Sequence, residues 1–180
     1  FDTDGVSVEE KKLPALLPRI KVGRFDCKEY AIDCSELSIK KPEYILFKPA
    51  AGGYEFHYGR EFTPDVAAFA RTSMQARTLR TLVHSDFQDI IDDGTPVFIV
   101  FFAPWCPVCM NLLPEFRKAS ILLGDPLYLG PQLHCNRYGI RSYPTTVFFN
   151  QSRPHVYQGV HTGHALADFV KEIVKPSVIS

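Results

Sequence analysis

The chain repeats itself once, and that repeat limits what it can fold into more than any other feature. The segment "CSELSIKKPEYILF" (34–47) aligns with "CNRYGIRSYPTTVFF" (135–149) after one inserted residue, matching Cys34 with Cys135, Ile39 with Ile140, Pro42 with Pro144 and Phe47 with Phe149. Further on, "GREFTPDVAAFA" (59–70) matches "GVHTGHALADFV" (159–170), pairing Gly59 with Gly159, Ala67 with Ala167 and Phe69 with Phe169. A period of about 100 residues is too long for a solenoid unit and has the size of a small domain. The 180 residues therefore divide into two related domains, 1–76 and 77–180, with a boundary near residues 75–78.

Each copy alternates helix and strand. In the second, "ARTLRTLV" reads as a strand and "SDFQDIIDD" as a helix, whose Ser85 and Gln88 fit a capping box. "PVFIVFF" (96–102) is almost continuously apolar, as a strand covered on both faces should be. A helix follows from Cys106 to Leu123, then a second over 131–138. The strands "TTVFF" and "HVYQG" flank a turn at "NQSRP", and "HALADFVKEIV" closes the copy as an amphipathic helix. The order βαβαβαββα implies an α/β sandwich with a central mixed sheet flanked by helices. The first copy shows only the later part of that order. It has helix "VEEKKLPALL", strand "IKVGRF", helix "EYAIDCSEL", strands "YILFK" and "YEFHYG", and helix "TPDVAAFARTS" starting at Thr63 and Pro64. The first domain is thus expected to be N-terminally truncated, as in a fragment cut inside a domain.

The alignment also exposes a deficit. Between a strand-ending glycine and the shared cysteine, the first copy has "RFDCKEYAID" and the second only "PQLH", six residues fewer. The shortfall near 130–131 would remove a strand end and a helix start, so omitted residues explain it better than a shorter loop.

Twenty basic and twenty acidic residues cancel, so no general electrostatic attraction draws the chain to nucleic acid or an anionic membrane. No apolar run approaches the roughly 20 residues that cross a bilayer. The opening "FDTDGVSVEEKK" has neither the basic start nor the apolar stretch of a secretory signal, so any targeting signal is expected outside this chain. Composition alone excludes little else.

The chemistry is concentrated in "FFAPWCPVC". Cys106 and Cys109 stand one helical turn apart at a strand-to-helix transition. Unpaired N–H groups and the helix dipole there favour a thiolate, the attacking species in disulfide exchange. Pro107 suits a first helical turn because its missing N–H would have been unpaired. Two blander readings compete. A zinc site needs about four ligands, and there is no second CxxC, so no metal is expected. A purely structural disulfide across so short a loop would stabilise little. Thiol–disulfide exchange is the reading the position favours.

"FFAPWCPVC", the helix proline Pro114 and "SYPTTVFF" resemble the thioredoxin superfamily, including the protein disulfide isomerases. The resemblance extends over the whole chain through "VGRFDC", "LLPEFRKAS", "YPTTVFFNQS" and "PSVIS". These segments are similar to the J-domain-bearing disulfide reductases of the endoplasmic reticulum. The resemblance implies two thioredoxin-like domains, the first redox-inactive and the second active. Cys106 would attack and Cys109 resolve, with Trp105, Pro107, Val108, Tyr143 and a cis Pro144 bordering the substrate. It further implies an enzyme of the ER lumen that reduces disulfides of misfolded or folding client proteins. Its only redox group would be the Cys106–Cys109 disulfide, with no separate cofactor. Clients would pass to the lumenal heat-shock ATPase through a J domain that is not in this chain. The competing class is a non-enzymatic, client-binding module of a larger chaperone. Two departures stand out: Val100 holds the place of the family's buried carboxylate, and the motif's central pair is Pro-Val where relatives have Pro-Pro or His-Pro.

Cys27 and Cys34 join a strand end to the following helix in the copy without CxxC, where a structural disulfide is the natural reading and suits an oxidising compartment. Cys135 corresponds to Cys34. Its partner would fall in the missing six residues, and without them it reads as a buried free thiol. Asn150-Gln151-Ser152 is a sequon for N-glycosylation on an expected turn.

Overall fold

The computed structural model describes residues 8–49, 53–82, 84–124, 127–130 and 139–175, except the side chains of 84–85 and 127–130. The chain separates into two compact units: Phe1–Leu46 with Phe56–Thr72, and Phe47–Glu55 with Ser73–Ser180.

In the first unit, a 3-10 turn at Glu10–Lys12 runs into α1 (Leu13–Leu16), with Pro14 in the first turn where its missing N–H is harmless. Leu13 and Leu17, one turn apart, pack on Val66, Ala67 and Ala70 of α3 (Thr63–Gln75). Arg71 Nη1 donates to the Leu16 carbonyl at 3.2 Å, satisfying an acceptor that the helix end leaves over. Thr63 Oγ1 donates to the Glu9 carbonyl at 2.9 Å. The short α2 (Ala31–Glu36) carries Cys34, which is bonded to Cys27. The strand expected over Ile20–Phe25 does not form, and those residues are irregular and mostly exposed. Their counterpart in the second repeat, Leu127–Gly130, is a strand lying between two others, whereas among the described residues no strand pairs with 20–25. The Ile20 N–H instead donates to the Leu17 carbonyl at 3.1 Å.

The strands β1 (Ile45–Lys48) and β2 (Gly53–Phe56) form a two-stranded sheet. The division between units runs through it and assigns residues 47–55 to the second unit.

The second unit is built on a five-stranded mixed sheet of order β3-β5-β4-β6-β7. The strands are β3 (Arg80–Thr81), β4 (Val97–Phe101), β5 (Leu127–Gly130), β6 (Thr145–Asn150) and β7 (Arg153–Val156). β5 runs parallel to β3 and β4, while β6 runs antiparallel to β4 and β7. β3 is far shorter than the sequence suggests, as suits an edge strand paired only with β5. Every residue of β4 is buried, because helices cover both faces. On one face Val97, Ile99 and Phe101 meet Val147 and Phe149 beneath Phe87 and Ile91 of α4 (His84–Asp92). On the other, Phe98 lies 5.2 Å from Phe116 of α5 (Pro107–Leu123) and 6.0 Å from Phe169 of α6 (Gly163–Val174), centroid to centroid. A two-residue turn with positive φ at Gln151 and Ser152 joins β6 to β7, the backbone that matches strand twist. Helices α5 and α6 approach at Gly163, where a Cβ would stand 2.6 Å from Lys118 Cβ and 3.1 Å from the Glu115 carbonyl oxygen. The Glu115 carboxylate accepts the Gly163 N–H at 2.8 Å. The helix expected over 131–138, Cys135 and the Ser85 side chain lie outside the described residues.

Candidate functional site

The β4–α5 junction fixes the two cysteines. The apolar strand ends at Phe101, the chain turns through Ala103–Trp105, and Cys106 becomes the N-cap of a 17-residue helix. Its φ of −92° and ψ of 111° are extended, so its side chain folds back over the first turn. There Cys106 Sγ accepts the Cys109 N–H at 3.1 Å, occupying one of the donors that a helix start leaves unpaired. Pro107 takes the first helical position. The Cys106–Cys109 disulfide has a Cα–Cα separation of 5.2 Å. Cys106 is 6% exposed and Cys109 is fully buried, so only the first presents an edge to solvent. The Cys109 N–H and the positive end of α5 therefore face Cys106 Sγ, whereas Cys109 is enclosed by protein.

A second element closes the site. The Tyr143–Pro144 peptide is cis. Cys106 Sγ lies 3.8 Å from the Tyr143 carbonyl oxygen, near enough for a reduced thiol to donate to it. The Tyr143 and Trp105 rings meet edge to face with centroids 6.0 Å apart. Trp105 is 68% exposed and Val108 53%, so an apolar rim borders the sulfur on the motif side. Cys106, Cys109, Trp105, Pro107, Val108, Tyr143 and Pro144 therefore gather in one place, whereas Cys27, Cys34 and Asn150 belong to other parts of the chain.

Val100 is completely buried. Strand alternation puts it on the same side of the sheet as Phe98, the side that α5 covers, and in register opposite Thr146. No carboxylate occupies that position beneath the helix. No group of three or more His, Cys, Asp or Glu side chains able to hold a metal occurs among the described residues. Likewise, no helix among them is long and apolar enough to cross a membrane.

A family model described as Thioredoxin matches residues 78–172. The chain belongs to the thioredoxin family. DnaJ homolog subfamily C member 10 of Homo sapiens is 41% identical over 181 residues, covering 96% of this thioredoxin-family chain and 22% of the relative. The Xenopus laevis protein of that name is 38% identical and covers all of this chain and 24% of the relative. Protein disulfide-isomerase 1 of Caenorhabditis elegans is 28% identical over 122 residues, 63% of this chain and 25% of that one. The crystal structure of full-length ERdj5 superposes with a TM-score of 0.84 at 40% identity, over 93% of this chain and 25% of that one. The chain thus spans about a quarter or less of the length of these relatives.

Sequence reasoning did not single out Lys48, Glu55, Ser73 and Arg117, which form a buried polar cluster in the second unit. The signal was present: a glutamate between the aromatics Tyr54 and Phe56, and an arginine just beyond the apolar first half of α5.

Proposed function

We propose that this chain is the redox-active portion of a thiol–disulfide oxidoreductase that reduces disulfides in client proteins within the ER lumen. The observation that carries the reading is Cys106 at the N-cap of α5, receiving the Cys109 N–H and facing the Tyr143 carbonyl. The Cys106 thiolate attacks one sulfur of a client disulfide, forming a Cys106–client bond and expelling the other client sulfur as a thiolate that takes up a proton. Cys109 then loses its proton to water and attacks Cys106 Sγ. The second client thiolate leaves, and the pair becomes a disulfide. Two electrons have passed to the client, and an external dithiol must return the pair to its reduced form.

Trp105, Pro107, Val108, Tyr143 and Pro144 border the client segment, apolar on the motif side and offering a backbone carbonyl opposite. The Cys27–Cys34 disulfide is structural, with Cys34 buried inside α2. The relatives' name supports transfer of clients to a lumenal heat-shock ATPase through a J domain elsewhere in the polypeptide. Asn150 ends β6 beside an exposed turn residue, a surface position at which an N-linked glycan would be accommodated.

Insulin reduction with a dithiol donor tests the reading. Turnover is expected, Cys109→Ser should accumulate a Cys106–client mixed disulfide, and Cys106→Ser should accumulate none. A module that only binds clients would give no turnover and no covalent adduct in either variant.

A further inference from the structure

The redox helix has a weak point and an anchor. Pro114 sits within α5, so the Met110 carbonyl receives no bond from position 114, and the cysteine-bearing turn is less tightly tied to the rest of the helix. Beyond it, Arg117 lies eight residues after Cys109, about 12 Å along the helix, and is largely buried. Its Nε donates to Glu55 Oε1 at 2.5 Å. Glu55 is fully buried on β2, within the part of the first repeat that belongs to the second compact unit. The same carboxylate accepts from Lys48 Nζ at 3.0 Å and from the Ser73 hydroxyl, and Lys48 also donates to the Ala76 carbonyl at 2.9 Å. A carboxylate with three donors, out of water, holds its geometry far better than an exposed ion pair does.

We propose that Glu55 is a positioning residue for the redox pair: it clamps the C-terminal half of α5 through Arg117, so that the cysteine-bearing half works against a fixed base. This role rests on the redox reading of the site. Attack by Cys106 depends on groups within its own turn, namely the Cys109 N–H and the helix start. Release depends on more, because the buried Cys109 must meet Cys106 Sγ while the client is attached. An intramolecular step of that kind is sensitive to sub-ångström placement. Losing the clamp therefore slows release and leaves attack nearly unchanged.

The experiment resolves the two steps by stopped flow in the full chain, using a disulfide-bonded peptide as client and correcting each rate for the folded fraction. Glu55→Gln and Arg117→Met should each slow release by about tenfold or more while attack changes less than about twofold. Because both remove the same clamp, the double variant should be no slower than the worse single one. Arg117→Lys, which keeps the buried charge, serves if Glu55→Gln does not fold, with the same expected change in the ratio of the steps. Equal slowing of both steps, unchanged release, or multiplying effects in the double variant would overturn the clamp. Absence of any attack by Cys106 in the parent chain would overturn both the clamp and the redox reading.

Discussion

The chain carries two short-range disulfides, and the more exposed cysteine is not the one at the proposed redox site. Cys27 is exposed, whereas Cys106 is only 6% exposed. The difference lies in what each sulfur would meet as a thiolate. Cys34 is inside the six-residue α2, and the Cys34 N–H is already bonded to the Tyr30 carbonyl at 3.2 Å. A thiolate there would be buried within a helix. Cys106 instead heads 17 residues of helix and receives the Cys109 N–H at 3.1 Å. We propose that the helix start favours the reduced form at Cys106, that Cys34 has no such support, and that this balance decides which disulfide exchanges. Access ranks below charge.

The largest effect that would break this comparison comes from single cysteine replacements. Cys106→Ser should lower insulin reduction to the uncatalysed background. Cys34→Ala should leave the rate per folded molecule nearly unchanged and lower stability in denaturant by about 2–3 kcal/mol, as expected for a loop of this length. Loss of turnover in Cys34→Ala at full folding would make the first disulfide part of the chemistry. A smaller effect should emerge on titration with a mild dithiol. Mass spectrometry after alkylation should find Cys106 and Cys109 labelled before Cys27 and Cys34, and simultaneous opening would remove the distinction.

The smallest expected effect concerns Val100. An aspartate there could accept the Cys109 proton, so Val100→Asp should speed release severalfold and leave attack by Cys106 unchanged. Burial raises the carboxyl's pKa, so between its unfolded and folded values the folded state binds the extra proton. Stability should then fall as pH rises from about 3.9 to the raised folded value, by a few kcal/mol in all. Unaltered release in the folded variant would mean that another group already takes the proton.

Much of the second unit was legible because its signals were local. The apolar run of β4, the proline after Cys106 and the period of α6 each name their own element. The strand expected at Ile20–Phe25 failed for the opposite reason: its residues suit a strand, but a strand needs neighbours. β3 shrank for a related cause, having a partner on one side only. At the site, the cysteine pair and its rim could be read from spacing and resemblance. The Glu55–Arg117 contact could not, since it joins residues 62 apart in the chain and nothing in "LLPEFRKAS" points from Arg117 to its partner.

That contact also bears on how such a chain can change over generations. The sequence repeat and the compact unit do not share an edge, because residues 47–55 read as one copy and pack with the other. A recombination breakpoint at the start of the second copy would transmit a whole redox repeat and leave behind the carboxylate that neutralises its arginine. Such an offspring would lose Glu55 together with the residues around it, and Arg117 would meet water where it now meets a carboxylate. The second copy is therefore whole in sequence before it is whole in packing, because part of its surroundings is written in the first.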